Sequence, residues 1–308
     1  MRVSDCNHLQ NFSASALQSV DDYLEFVRLP VITGVHLPLL RNPGASFIMK
    51  DTPFLPTVTA ALNASFDTNV MVINTGLSNL DFLYSESGTQ TTPKSASNSY
   101  PQSFLIYDNP HLERITGPAD TYNNVSIYNN GLLTSIDFPN LRTCGPFYIS
   151  SATVLGIPSL VDVEGKFSII NSSMVDLSLP KLKSIKGLLV VANNTHLKLF
   201  DSSISEIGKS IWLDYGEDAL QISGNLALQA IGLKELDYIE GLLISNNPFL
   251  LAINLQGLKT AKDNTTIKNN PSLSSIDLGS LSTSQFLDIS GNFSRHVNLP
   301  LQNQYKLT

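Results

Sequence analysis

A seven-residue phrase, I-x-N-N-P-x-L, returns about every 22 residues along this chain and restricts the fold more than any other feature. It stands as Met49-Lys-Asp-Thr-Pro53-Phe-Leu55, Ile106-Tyr-Asp-Asn-Pro110-His-Leu112, Ile244-Ser-Asn-Asn-Pro248-Phe-Leu250 and Ile267-Lys-Asn-Asn-Pro271-Ser-Leu273. With the proline relaxed it recurs from Ile127, Ile149, Ile169, Val191 and Ile222, and weaker copies start at Val72 and Ile289. One such unit cannot bury its own apolar face, so units of this length must stack on one another as a solenoid.

Taking the first apolar residue of each phrase as an anchor, most steps fall between 20 and 23 residues, but 72 to 106 spans 34 and 191 to 222 spans 31. The excess predicts two inserts, near 84–103 and 201–219, that leave the stack as surface loops. After each phrase comes a second apolar run, as in Leu250-x-x-Ile253-x-Leu255-x-x-Leu258-x-x-Ala261. Its i, i+2 alternation marks short strands, and the x-x pairs mark corners. Coils often close on L-x-x-[IV]-x-G, first at Leu29 to Gly34, where glycine suits a corner with positive φ or close backbone approach. The fold expected is all-β: a right-handed parallel β-helix with leucine-rich-repeat-like coils of about 22 residues. It runs over 29–300 in eleven to twelve coils, with a polar tail at 301–308. Residues 1–28 are left as an N-terminal cap, and the apolar spacing from Ser15 to Phe26 fits a short amphipathic helix within it.

The asparagines two and three places after each anchor form a column, among them Asn129 and Asn130, Asn193 and Asn194, Asn246 and Asn247, and Asn269 and Asn270. Asparagine tolerates left-handed turns and its amide can bond to the next coil, so the column is read as the device that holds the corners together. Cys144 stands in the apolar column of Ile185, Ile239 and Ala261, so it should point into the core as a small hydrophobe. Cys6 falls several coils away, too far for a bridge, and the two cysteines are expected to remain unjoined.

The net charge is −7 and charged residues make up 15% of the chain. Without a basic face, nucleic acid is disfavoured as a partner. No run of about 18 apolar residues is present to span a membrane. Sequons N-x-[ST] occur at Asn11, Asn63, Asn124, Asn171, Asn193, Asn264 and Asn292, and Asn124 and Asn264 both stand three residues before their anchors. No apolar targeting stretch follows Met1, and no Ser/Thr stalk or hydrophobic tail follows residue 290. The expectation is an extracellular domain, of cell surface or cell wall, whose targeting ends lie outside this sequence.

The positions flanking each anchor should face solvent. Read down the stack they are poor in acids and bases, whereas a lyase or hydrolase on a β-helix needs several converging on one patch. No catalytic residue, cofactor or metal site is expected, the five histidines being scattered without ligand spacing. The face does carry Tyr107, Tyr128 and Tyr148 on successive coils, readable as an aromatic ladder or as a platform for sugar rings. The second insert holds the only tryptophan, Trp212, with Tyr215 beside it, readable as a partner contact or as packing against the coil flank.

The extended phrase, I-x-N-N-P-x-L-x-x-I-x-L-x-x-L-x-x-I-x-G, resembles the repeats of receptor L-domains. In its Asn-rich form it is most similar to the fungal glycosylphosphatidylinositol-anchored proteins of cell-wall organisation, the extracellular-matrix and sporulation-specific group. The resemblance covers residues 29 to 300. It implies a secreted glycoprotein with a role in wall integrity and cell-wall polysaccharide or other surface proteins as partners. The family's early cysteine corresponds to Cys6. The alternatives are a receptor-like ligand- or glycan-binding ectodomain and a β-helix polysaccharide lyase or hydrolase.

Overall fold

A computed structural model describes residues 1–62, 68–83, 103–208, 219–291, 296–298 and 306–307. Its described elements are parallel strands and one 3-10 turn, Asp81–Leu83, so the chain is an all-β solenoid as its period requires. It forms two compact units, 1–141 and 142–308.

In unit 1 the first strands of successive coils pair in parallel: Arg2–Ser4 on Tyr23–Val27, then Ser46–Thr52, Asn69–Thr75, Ser103–Tyr107 and Asn124–Tyr128. Smaller ladders join Asn11–Ser13, Gly34–Leu37 and Val58–Ala60, and separately Arg114–Thr116 and Ser135–Asp137. Unit 2 repeats the arrangement, with Phe147–Ser150, Phe167–Ile170, Leu189–Ala192, Leu220–Ser223 and Leu242–Ser245 stacked in register, followed by Thr260–Lys268 and Thr283–Ile289. A second set of short strands and a six-stranded ladder from Asp176–Leu179 to His296–Asn298 complete its coils.

The anchors explain why these residues make these strands. Phe26, Met49, Val72, Ile106 and Ile127 in unit 1, and Ile149 to Ile289 in unit 2, are fully buried. Each contributes about 1.5–3 kcal/mol of transfer free energy, and period-2 alternation delivers it only in extended chain. Aromatic contacts fill the wider parts of the core. In unit 1 Phe104, Tyr122 and Phe138 meet at 5.4–5.7 Å between ring centroids, and in unit 2 Phe147 stacks on Phe167 at 5.1 Å. Cys144 is buried in its apolar column, Cys6 is exposed, and no disulfide joins them.

Four expectations need correction. Residues 1–28 are not a cap, because Arg2–Ser4 and Tyr23–Val27 already pair as coil strands with Val3 and Phe26 at the anchor positions. The stretch Ser15 to Phe26 contains no helix: its apolar spacing also suits a bend followed by a strand, and pairing with Ser46–Thr52 decides between them. The second insert begins later than 201, since Leu199–Ser202 and Glu206–Ile207 are coil strands and Ala219 is core, and Ser103 likewise opens a strand. Within the tail, Lys306–Leu307 pairs with the strand ending at Ile289. The inserts themselves, with Trp212 and Tyr215, lie outside the described residues. The strands on either side resume register, Ile73 opposite Tyr107 and Ala192 opposite Ser223.

Candidate functional surface

Each coil turns at the corner after its anchor, and the two asparagine columns there do different work. The first is the left-handed corner. Asp5, Arg28, Asp51, Asn74, Asp108 and Asn129 in unit 1, and Ser151, Asn171, Asn193, Gly224, Asn246 and Asn269 in unit 2, all have φ between 49° and 67°. Asparagine, aspartate and glycine tolerate that conformation at least cost. Three of these asparagines reach the preceding coil: Asn74 Nδ2 donates to Asp51 Oδ1 at 2.9 Å, Asn129 to Asp108 at 3.1 Å and Asn269 to Asn246 Oδ1 at 3.2 Å. Arg28 caps the first pair of coils by a guanidinium bond to Asp5, which holds that carboxyl below its ordinary range.

The second column is internal. Asn109, Asn130, Asn194, Asn225, Asn247 and Asn270 are at most 1% exposed. In unit 2 the Oδ1 of Asn225, Asn247 and Asn270 accepts from the backbone N–H of the ladder residue one coil earlier, at 3.0, 3.0 and 2.9 Å. Their Nδ2 groups donate back to Val191, Ile222 and Ile244 carbonyls at 2.9–3.0 Å. Unit 1 repeats this with Asn130 Oδ1 receiving the Asn109 N–H at 3.1 Å and Asn109 Oδ1 receiving Thr75 at 3.0 Å. A corner N–H and a carbonyl that would otherwise be buried unpaired are thereby satisfied by one side chain.

Outside, the positions flanking each anchor are half-buried or exposed, apart from several short side chains and Val27 and Ile73. Tyr107 and Tyr128 stack with centroids 4.6 Å apart and rings inclined by 5°. Tyr107 is therefore covered on one face by Tyr128 and stands opposite Ile73 on the other side of its strand. Near-parallel stacking of this kind is the geometry of a cross-strand aromatic ladder, and it leaves one face of each ring unavailable to a sugar. Tyr148, in unit 2, is half-buried beside Ser168 in register. On a separate face of unit 2, Lys186 pairs with Glu164, Lys262 with Glu240, and Tyr238 donates to Glu240. Burial and that carboxylate push the Tyr238 hydroxyl well above its ordinary pKa. A polar concavity of about 270 Å³ is lined by Ser178, Asp201, Ser202, Ser203, Lys234 and Glu235, and no motif marked it. Glu235 there is paired with Lys183 at 3.3 Å.

The sequon asparagines within the described residues are Asn11, Asn124, Asn171, Asn193 and Asn264; Asn63 and Asn292 lie outside them. Asn124 is half-buried at the start of its strand and takes a hydrogen bond from Ser126 at 3.3 Å. Asn264 is exposed on a register shift between Ala261 and Asn264, so the shared position of these two sequons hosts two local geometries. Asn11, Asn171 and Asn193 are exposed, and none of the six buried ladder asparagines begins a sequon. Among the described residues no three histidine, cysteine or acidic side chains gather as a metal site, and no helix is long and apolar enough to cross a membrane. No family model, curated protein or solved structure matches the chain.

Proposed function

We propose that this chain is a non-catalytic glycoprotein scaffold of the cell surface or cell wall that contributes to wall organisation. The observation that carries the reading is the sorting of its asparagines. The asparagines of the internal ladder are buried and none of them begins a sequon, whereas every described sequon asparagine is solvent-accessible. Asn270-Pro271-Ser272 sharpens the point, because it would be a sequon in the buried ladder but for the proline, which blocks the acceptor. A ladder of hydrogen-bonded coils is stiff, and attached glycans would keep its surface hydrated and tied to the polysaccharide or surface proteins around it.

The test is location and modification together. A tagged chain expressed from its own locus should be labelled on unpermeabilised cells and should drop in mass when treated with an N-glycan-releasing enzyme. Confinement to the cell interior without a mass change would sink the reading.

A further inference from the structure

We infer that the corner formed by Asn171 and Asn193 is a double N-glycan site, with the two glycans leaning apart over the small residues that flank them. The inference rests on the glycoprotein reading above and goes further by selecting, among the sequon asparagines, one adjacent pair that carries glycans together.

Both asparagines are exposed and left-handed, with φ of 49° and 56°, so their side chains leave the coil rather than enter it. Their backbone N–H groups donate to Ala192 and Ser223 carbonyls at 3.0 and 2.9 Å, which fixes the corner independently of the side chains. Neither carboxamide is needed to hold the fold, since the ladder beneath runs through Ser172, Asn194 and Asn225. The adjacent strands are in register, Ile170 opposite Ala192, so the two acceptors stand one coil apart, about 4.8 Å.

That spacing would crowd two glycans if the column were uniformly filled. It is not. The coil before Asn171 places Ser151 in the column, and the coil after Asn193 places Gly224 there. Asn193 already leans over Gly224: a Cβ built on that glycine would lie 2.3 Å from Asn193 Oδ1. The next two coils refill the column with Asn246 and Asn269, so glycine at 224 is not required by the corner conformation itself. It supplies room.

Chemically, each Asn Nδ2 loses one proton and gains a bond to the anomeric carbon of an oligosaccharide. The bond from that carbon to the pyrophosphate oxygen of a glycosyl-pyrophosphate donor breaks, and the pyrophosphate leaves with the electron pair. The third sequon residues, Ser173 and Thr195, are both exposed.

The test combines glycopeptide mass spectrometry on the full chain made in a eukaryotic secretory host with thermal melts of Gly224→Asn. Both peptides should be glycosylated on the same molecules. Gly224→Asn should leave Tm unchanged within about 1 °C in bacterially made, unglycosylated protein, where the free Asn193 amide swings aside. In glycosylated protein it should lower Tm by about 2 °C or more. Glycans at Asn11, Asn124 or Asn264 with a bare Asn171 or Asn193 would overturn the double site while leaving the surface reading standing. An equal effect of Gly224→Asn in both preparations would remove the role of the glycine. A chain with no glycan at any sequon would end both.

Discussion

In unit 1 the internal ladder position runs Thr52, Thr75, Asn109, Asn130; in unit 2 it runs Ala152, Ser172, Asn194, Asn225, Asn247, Asn270. The outer columns differ too, with Lys50 and Ser126 as polar members among larger apolar and aromatic side chains in unit 1. Unit 1 carries Ile48, Met71 and Leu105 in one and Ile73, Tyr107 and Tyr128 in the other, whereas unit 2 carries Val190, Gln221 and Leu243 beside Ala192, Ser223 and Ser245. Where asparagine fills the ladder, one side chain satisfies both a corner N–H and a carbonyl. Where threonine stands in, the match is poorer: Thr75 donates to Asn109 at 2.8 Å, but the buried Thr52 hydroxyl has no partner. The inside of the repeat is constrained by hydrogen bonding, and the outside is free to differ between the units.

The largest effect should come from letting modification reach the ladder. Pro271→Ala creates the sequon Asn270-Ala-Ser272 at a residue 1% exposed. In a eukaryotic secretory host, a glycan on Asn270 cannot be buried, so unit 2 should fail to close and secreted folded protein should be lost. Adding Ser272→Ala removes the sequon and should restore secretion. The same Pro271→Ala made in bacteria should cost no more than about 1 kcal/mol in a denaturant melt, since only turn preorganisation is lost. Equal loss in both hosts would mean that the proline acts on folding alone.

Next comes a direct comparison of the two ladders. Asn247→Leu strands the Asn225 N–H and the Ile222 carbonyl, and should destabilise by about 3 kcal/mol or more in urea unfolding. Thr52→Val, in the same column of unit 1, removes a hydroxyl that bonds to nothing and should be neutral or stabilising by up to about 1 kcal/mol. Similar losses at both positions would erase the distinction drawn between the units.

These expectations show which parts of the molecule were legible in its sequence. The anchors were, because a 22-residue period in apolar residues survives any single substitution. The ladder was legible as a column but not as two functions, since the left-handed outer asparagine and the buried inner one are adjacent and alike in composition. The first two coils were missed because Val3 and Phe26 lead into Asp5-Cys6 and Arg28-Leu29 in place of the asparagine pair, and Pro30, at the proline position of the second, does not mark the phrase by itself. The phrase from Ile169 misled differently: it places Val175 in the core, yet Val175 is exposed and Met174 is buried, because Ser172 stands in for asparagine in a turn one residue shorter. The phrase from Ile149 slips too, burying Ala152 and Ile157 while Leu155 stays half-exposed. The polar concavity around Asp201 and Lys234 was not legible as a site, since it brings Asp201, Ser202 and Ser203, at the start of the expected second insert, together with Ser178, Lys234 and Glu235 from other coils.

A smaller effect tests the outer face. Tyr128→Ala should cost about 1 kcal/mol from the lost stack with Tyr107, and the loss should not add to that of Tyr107→Ala. Binding to insoluble glucan or chitin should be the same for wild type and the double variant. A selective fall in polysaccharide binding at unchanged Tm would convert this strip from a ladder into a ligand site.

The smallest effect is in unit 2 and depends on pH. Tyr238 is partly buried and donates to Glu240, which also pairs with Lys262, so its neutral form is favoured in the folded state and its pKa is raised. An unfolded tyrosine titrates near 10. Above that pH the folded chain holds a proton that the unfolded chain releases, so stability falls as pH rises through the interval between the two values. Below pH 10 this contribution is fully present and flat. Tyr238→Phe should therefore unfold with a shallower alkaline slope than wild type between about pH 10 and 12. Coincident slopes would mean that enough solvent reaches the hydroxyl at this outer position to cancel the influence of Glu240, leaving the buried ladder as the dominant polar determinant of unit 2.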